Sequence, residues 1–388
     1  MFMKHRILHL CCDGNFIDHS MYVFDYFYPG QNVFFLMSAK GKDITYVKRD
    51  GYIKFDPYSG LDYLNQIEEI NNLEHFDVIV LHGLVEPFIK IVKRINPNKK
   101  IRVYWVFWGY ELYRSLGEQG KFPLLDNQSP FSLLTWITPT RYSCIPKKLL
   151  GWTLHYKNLE EFLPMCDYFC FWFYDDFLLL KKFYPNHLQY KFFDYGGLFR
   201  NDIILDETID FEKNKKEIRI SHSASTTANH LTIMKKLRTI DIDNEYKKIV
   251  PLAYGSNYVK KMVVKYGEKW FGDQFVPILN YEKKEDYLKT LSKVGIAIFG
   301  QLRQEAAGNI EPLLGYGAKV FLRQNNPLFQ YYKDKGYIIF SVEEDLKTID
   351  DLSILSPKQM LHNAKVKKDN RVYYEDFMPC LFNDNKKV

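Results

Sequence analysis

The sequence predicts an α/β protein of two Rossmann-like, doubly wound domains facing each other across a cleft. Three observations carry that expectation. The chain has 388 residues, and a single hydrophobic core stops growing beyond about 250 to 300 residues. Short apolar runs alternate with helix-period segments from end to end, as parallel sheets covered by helices require. A polar, charge-dense stretch, Asn201 to Lys216, separates two such series and has the composition of a linker.

In the first series, strands are expected at Ile7 to Cys11, Val33 to Met37, Val78 to Leu81, Val103 to Phe107 and Tyr168 to Phe173. Helices are expected between them at Asp18 to Tyr28, Leu61 to Asn71, Glu86 to Ile95 and Asp175 to Phe183, the first and last opening on a capping Asp. Residues 117–160 interrupt the alternation with Pro, Ser, Thr, Trp and Lys, and read as an insertion of loops and short helices. The second series runs through Ile218 to Ser221, Ile249 to Leu252, Phe275 to Ile278, Val294 to Phe299, Val320 to Leu322 and Ile338 to Phe340. The expected division is therefore a first domain over 1–200, a linker over 201–216, a second domain over 217–365 and a terminal segment over 366–388. In that segment Arg371 to Leu381 is a helix candidate. Ligands bind such sheets at the carboxyl ends of the strands, which puts the expected active site between the domains. Among glycosyltransferases this architecture is called GT-B, although other enzymes use related sheets.

The bulk composition narrows the class. A formal net charge of +6 is too small and too dispersed to ask for nucleic acid, while phosphate-bearing small molecules or an anionic membrane surface suit it. Aromatic residues make up 17% of the chain, and Tyr in particular serves surfaces that hold half-apolar groups such as sugar rings. The six cysteines form no CxxC pair and no secretory framework, which fits a reducing compartment. The run Ile7 to Cys12, broken by His9, is too short for a signal peptide, and no stretch reaches the 18 or more apolar residues of a membrane span. Membrane contact is expected to be peripheral, through Lys147, Lys148 and Lys157 beside Trp136, Tyr142, Trp152 and Tyr156. No Asp-x-Asp ends a strand, so neither a metal nor another cofactor is expected.

Four loops can carry chemistry. The turn after the first strand of the second domain, Ser221-His222-Ser223-Ala224-Ser225-Thr226-Thr227-Ala228-Asn229-His230, offers hydroxyls and backbone N–H groups at a helix start. An anion such as a diphosphate is stabilised there; the same residues also serve simply to cap a helix. The loop after Val294 to Phe299 holds Arg303, Gln304, Gly308, Asn309 and Glu311. Arg303 suits phosphate charge, Gly308 allows close approach of backbone to a ligand, and Glu311, in the first helical turn, suits ribose or sugar hydroxyls. In the first domain, His82, Trp108 and Glu111 follow two successive strands, supplying a base, a stacking platform and a carboxylate for an acceptor hydroxyl. Asp13 and Asp18 flank the first strand-to-helix turn, with Asp18 read as a cap and Asp13 as the residue facing the cleft.

Together these loops resemble the TDP-N-acetylfucosamine:lipid II N-acetylfucosaminyltransferases, bacterial 4-acetamido-4,6-dideoxygalactosyltransferases. The resemblance is carried by His9, by Phe16 to Ser20 (FIDHS), by Leu81-His82-Gly83, by Phe107-Trp108-Gly109 with Glu111-Leu112-Tyr113, and by Asn229-His230. It continues through Arg303-Gln304, Gly308 and Asn325-Asn326-Pro327. Ser223-Ala224-Ser225 stands where that family has a glycine-bearing loop. The resemblance implies a GT-B fold, a TDP-sugar donor in the second domain, a polyprenyl-diphosphate-linked acceptor addressed by the first, and no required metal. The expected function is thus metal-independent transfer of a 6-deoxyhexose-type sugar, from a nucleotide-diphosphate donor to a lipid-linked saccharide, at the cytoplasmic face of a membrane. Ser223, Ser225, Thr226 and Arg303 are expected at the diphosphate, Gln304, Asn309 and Glu311 at the sugar or ribose, and Asn229 and Gly308 in the same donor site. Asp13, His82 and Glu111 are the candidates for activating the acceptor, with Asp18 and Trp108 beside it. The rival readings are a nucleotide-sugar epimerase or hydrolase, and a non-catalytic sugar-nucleotide or glycan-binding subunit.

Overall fold

A computed structural model describes residues 5–14, 16–38, 43–58, 60, 62–126, 155–200, 209–280, 282 and 284–383. Two compact units result. The first takes the described residues within Met1–Gln119, Lys147–Asn201 and Val372–Val388, and the second those within Gly120–Pro146 and Asp202–Arg371.

The first unit is built on seven parallel strands: β1 Ile7–Cys12, β2 Asn32–Met37, β3 Tyr52–Phe55, β4 Val78–His82, β5 Arg102–Val106, β6 Tyr168–Cys170 and β7 Gln189–Lys191, in the order β3-β2-β1-β4-β5-β6-β7. All five residues of β4 are buried, the mark of a central parallel strand covered on both faces. Its neighbours β1 and β5 are buried along nearly their whole length. The edge strands β3 and β7 are short and carry Lys54 and Lys191, and neither was expected from the apolar pattern. Helix Tyr110–Glu118 was also missed, because the aromatic run before it reads as continuing strand. The helices expected to start on capping aspartates do not: Phe16 and Phe173 occupy the N-cap positions, and Asp18 and Asp175 lie inside the first turn.

The second unit holds six parallel strands: β8 Asn214–Ile220, β9 Lys247–Pro251, β10 Phe275–Ile278, β11 Val294–Ile298, β12 Lys319–Leu322 and β13 Phe340–Ser341, ordered β10-β9-β8-β11-β12-β13. β8 begins inside the stretch read as linker, because Lys215 and Lys216 extend it as an exposed ribbon before its apolar end is buried. Two boundaries shift for similar reasons of packing. Gly120 to Asp126 belong with the second unit, and from Val372 onward the chain belongs with the first, where Tyr373 bridges to Leu198 and the Tyr374 hydroxyl donates to the Tyr195 carbonyl at 2.8 Å. The helix candidate near the terminus is two separate pieces, helix Tyr374–Phe377 and a single turn at Met378–Cys380. Among the described residues no helix is long and apolar enough to cross a membrane.

Candidate functional site

The site residues expected in the first unit gather at the carboxyl edge of its sheet, after β1, β4 and β5. Five side chains, reaching from Asn32 at the start of β2 to Trp108 after β5, form one hydrogen-bonded chain whose proton positions can be worked out from one end. The Asn32 amide nitrogen faces only acceptors: the carbonyls of Phe24 and Tyr28 at 3.1 and 2.8 Å, and Asp25 Oδ1 at 3.0 Å. Its Oδ1 is therefore the acceptor for His9 Nε2 at 3.0 Å. Burial pushes His9 down to about 3, so its Nδ1 is bare and accepts from His82 Nε2 at 3.1 Å. His82 is held well below its ordinary value, first by burial and then by His9. Its Nδ1 accordingly accepts from the Tyr195 hydroxyl at 2.7 Å, whose oxygen accepts from Trp108 Nε1 at 3.2 Å. Both nitrogens of His82 are thus engaged, and only 1% of its surface is exposed. This corrects its reading as an acceptor base: it fixes Tyr195 and, through it, the half-buried Trp108 ring.

Asp13 and Asp18 are corrected as well. The Asp13 carboxylate accepts the backbone N–H groups of Thr45, Tyr46 and Val47 at 2.6, 2.9 and 3.0 Å. Asp18 Oδ1 accepts those of Lys48 and Arg49 at 2.6 and 2.8 Å. The two carboxylates pin the loop after β2, and Asp18 does not cap its own helix. Glu111, the third residue read as catalytic, is buried after β5. It accepts weakly from the N–H groups of Leu84 at 3.2 Å and Trp108 at 3.3 Å, and burial lifts it to about 7 against the pull of those bonds.

In the second unit the expected residues lie on loops fused by backbone contact. Ala224 N–H donates to the Tyr254 carbonyl at 2.8 Å and Ser256 N–H to the Ala224 carbonyl at 3.0 Å. Gly255, at φ +113°, permits this: a Cβ there would lie 2.7 Å from the Ala224 carbonyl. Gly300 likewise lies against the Ala228 carbonyl, with no room for a side chain. Asn229, left-handed at φ 49°, donates to the carbonyls of Thr227 at 3.0 Å and Gly300 at 2.9 Å, and accepts from the Asp126 N–H at 3.1 Å. It ties the loops together and spends its polar atoms in doing so.

The hub of this cluster is a residue the sequence reading passed over. Glu305 is buried and pairs with Arg303 Nη2 at 3.2 Å, accepts from the Thr227 hydroxyl, and lies 4.0 Å from His222. Burial alone would raise its carboxyl, but Arg303, His222 and the Thr227 and Ser225 hydroxyls outweigh it and hold it below the usual value. Ser225 and Thr227 share a hydrogen bond at 2.7 Å, and Ser223 Oγ lies 3.3 Å from His222 Nε2. Thr226 is half-buried in the single turn Thr226–Ala228. Arg303 also donates to the Gln304 carbonyl at 3.0 Å, and Asn309 Oδ1 accepts from the Tyr287 hydroxyl. Gly308 is the second residue of helix Ala307–Gly315 and has open space where a side chain would be. Glu311 sits in the second turn of that helix rather than the first, and is exposed. Arg219 in β8, Tyr254 and Tyr287 complete the cluster. A charged residue between Ile218 and Ile220 was the available signal for Arg219; nothing local marks either tyrosine. Of the residues read as a membrane surface, Trp136, Tyr142, Lys147, Lys148 and Trp152 lie outside the described residues, as does the Tyr156 side chain.

No protein-family model matches the chain, and no curated protein sequence matches it either. Solved structures do. An α-glucosyltransferase in complex with UDP and a 13-mer DNA containing an HMU base is 15% identical, with 98% of this chain and 99% of that one covered and a TM-score of 0.55. The N-terminal domain of a trehalose-6-phosphate phosphatase from Candida albicans is 10% identical over 99% and 97% of the two chains, at a TM-score of 0.59. A UDP-forming α,α-trehalose-phosphate synthase from Burkholderia xenovorans is 8% identical over 99% and 100%, at 0.61. At such identities the likeness concerns fold, and the fold is GT-B: two parallel, doubly wound α/β units.

Proposed function

We propose that the chain is a glycosyltransferase whose second unit holds a nucleotide-diphosphate sugar. The observation that carries this is the cluster at the carboxyl edge of the second sheet. There a guanidinium, an imidazole and two hydroxyls, from Arg303, His222, Thr227 and Ser225, converge on one carboxylate, Glu305. Those donors form an anion-binding set on a fold whose solved examples include UDP complexes. In this reading a donor phosphate takes over part of the Glu305 role, and Arg303 stabilises the charge that grows on the leaving diphosphate. Ser223 and Thr226 border the same loop, and Gln304, Gly308, Asn309 and Glu311 lie toward the sugar and ribose.

In the first unit, Glu111 is the base for the acceptor hydroxyl, beside the Trp108 ring held by Tyr195 and His82. The donor is a TDP-linked 6-deoxyhexose, and the acceptor a lipid-linked saccharide met at the cytoplasmic face of an anionic membrane. The test is release of nucleoside diphosphate from UDP- and TDP-sugars with and without a polyprenyl-diphosphate-linked saccharide. Release that requires the acceptor supports transfer; release without it makes the chain a hydrolase. Binding without turnover makes it a non-catalytic subunit.

A further inference from the structure

Arg219 stands in the middle strand run of the second unit with 2% of its surface exposed. Its Nη2 donates to the Tyr287 hydroxyl at 3.1 Å, and the Tyr287 ring lies 5.2 Å from the guanidinium. Its Nε and Nη1 have no partner. Burying a cation without a counter-charge is strongly unfavourable, and three other cations of the same unit have one. Lys248 is wholly buried against Asp241 at 2.6 Å, Arg323 pairs with Asp126 and Glu343, and Arg303 pairs with Glu305. Lys213 and Lys319, also buried, are met by the carbonyls of Ser292 and Asp351, whereas Arg219 keeps two nitrogens unfilled. Polar atoms nearby are also unfilled: Gln301 Oε1 is buried without a partner, and of the two buried ring nitrogens of His230 only one is turned to the Ser223 backbone. His222 links the group: its Nδ1 accepts from Gln301 Nε2 at 3.3 Å, and it lies within the electrostatic reach of Arg219 and of His230.

From this we infer that Arg219 is a second anion anchor of the donor site, specific for the diphosphate, and that Tyr287 covers it when no ligand is bound. The inference rests on the donor reading given above. The Tyr287 hydroxyl, which donates to Asn309 Oδ1, holds the position that a phosphate oxygen takes when it accepts from the guanidinium. Ligand entry moves Tyr287 aside and fills the orphaned N–H groups of Arg219, while Gln301 Oε1 accepts from a hydroxyl of the nucleotide sugar.

The experiment is calorimetric titration of the full chain with UDP, TDP, inorganic pyrophosphate and uridine, alongside melting curves. Arg219→Leu removes the buried charge while keeping bulk. It is expected to melt at or above the wild-type temperature, and to lose more than about tenfold in affinity for UDP and pyrophosphate, the worth of a charged hydrogen bond. Arg219→Lys is expected to fall between the two, and it carries the test if the leucine variant does not fold. Tyr287→Phe is expected to bind pyrophosphate at least as tightly as wild type. Pyrophosphate affinity within threefold of wild type in Arg219→Leu overturns the assignment and leaves buried water as the filler; weakened binding in Tyr287→Phe overturns the cover. Wild-type protein that binds no nucleoside diphosphate rejects the donor reading itself, a result distinct from either.

Discussion

The polar clusters of the two units differ in how completely their hydrogen bonds are met. In the first, the chain from Asn32 through His9, His82 and Tyr195 to Trp108 uses every ring nitrogen and leaves a defined direction of donation. In the second, Arg219, Gln301 and His230 keep buried polar atoms with no partner. Buried polar groups in folded proteins are almost always paired, so a saturated network reads as positioning and an unsaturated one as a place awaiting a ligand. The difference sorts residues better than residue type does: His82 has both ring nitrogens engaged, whereas Arg219, on a strand, keeps two nitrogens unfilled.

The largest expected effect tests the buried carboxyl after β5. Glu111→Gln should lower turnover by about 10² to 10⁴, the range for loss of a general base. In wild type the rate should rise with pH through about 7, where Glu111 ionises, and fall roughly tenfold per unit below it. A flat profile between pH 5 and 8 would remove Glu111 as the base. The same shift has a stability signature. The folded-state value lies above the ordinary 4.5, so its contribution is present below about 4.5 and lost as pH rises to about 7, roughly 3 kcal/mol in all at 1.36 kcal/mol per unit. The melting temperature of Glu111→Gln relative to wild type should therefore be higher at pH 8 than at pH 5.

Next comes the cation paired with the hub of the second cluster. Arg303→Ala should lower turnover by about 10²-fold, as loss of a charge-stabilising donor does, with a smaller change in donor affinity. Donor kinetics identical to wild type in a folded variant would move the donor site elsewhere. For the saturated cluster, His82→Leu should cost about 1 to 3 kcal/mol of stability by stranding His9 and Tyr195, yet leave the pH limb near 7 in place. Disappearance of that limb would return His82 to the catalytic group. The smallest effect belongs to Glu311→Ala: exposure and its place in the second helical turn limit it to a few-fold rise in donor KM, with stability within about 0.5 kcal/mol of wild type.

The fold was legible because central parallel strands are continuous apolar runs. Val78 to Leu81 and Val320 to Leu322 announced themselves, and helix Glu86–Ile95 follows its apolar spacing residue for residue. The edge strands Tyr52–Phe55 and Gln189–Lys191 were not legible, since three or four residues with an exposed face carry almost no pattern. The loops of the site could be found from their position after strands. Their hydrogen-bond partners could not, because those are set across long separations: Asp13 is engaged by Tyr46, 33 positions away, and His82 by Tyr195, 113 positions away. Glu305 was passed over beside Arg303 for the same reason, its role depending on Thr227, 78 positions earlier.

The glycine contacts of the second unit bear on how such a site can change. Gly255 and Gly300 press the turns after β9 and β11 onto the turn after β8, main chain against main chain. Three loops joined in this way cannot lengthen or reshape one at a time without opening the others. New ligand preferences would therefore have to be written in side chains such as Ser223, Tyr254 and Arg303 on an unchanging scaffold, and a search for altered donors should vary those positions and leave the loop lengths alone.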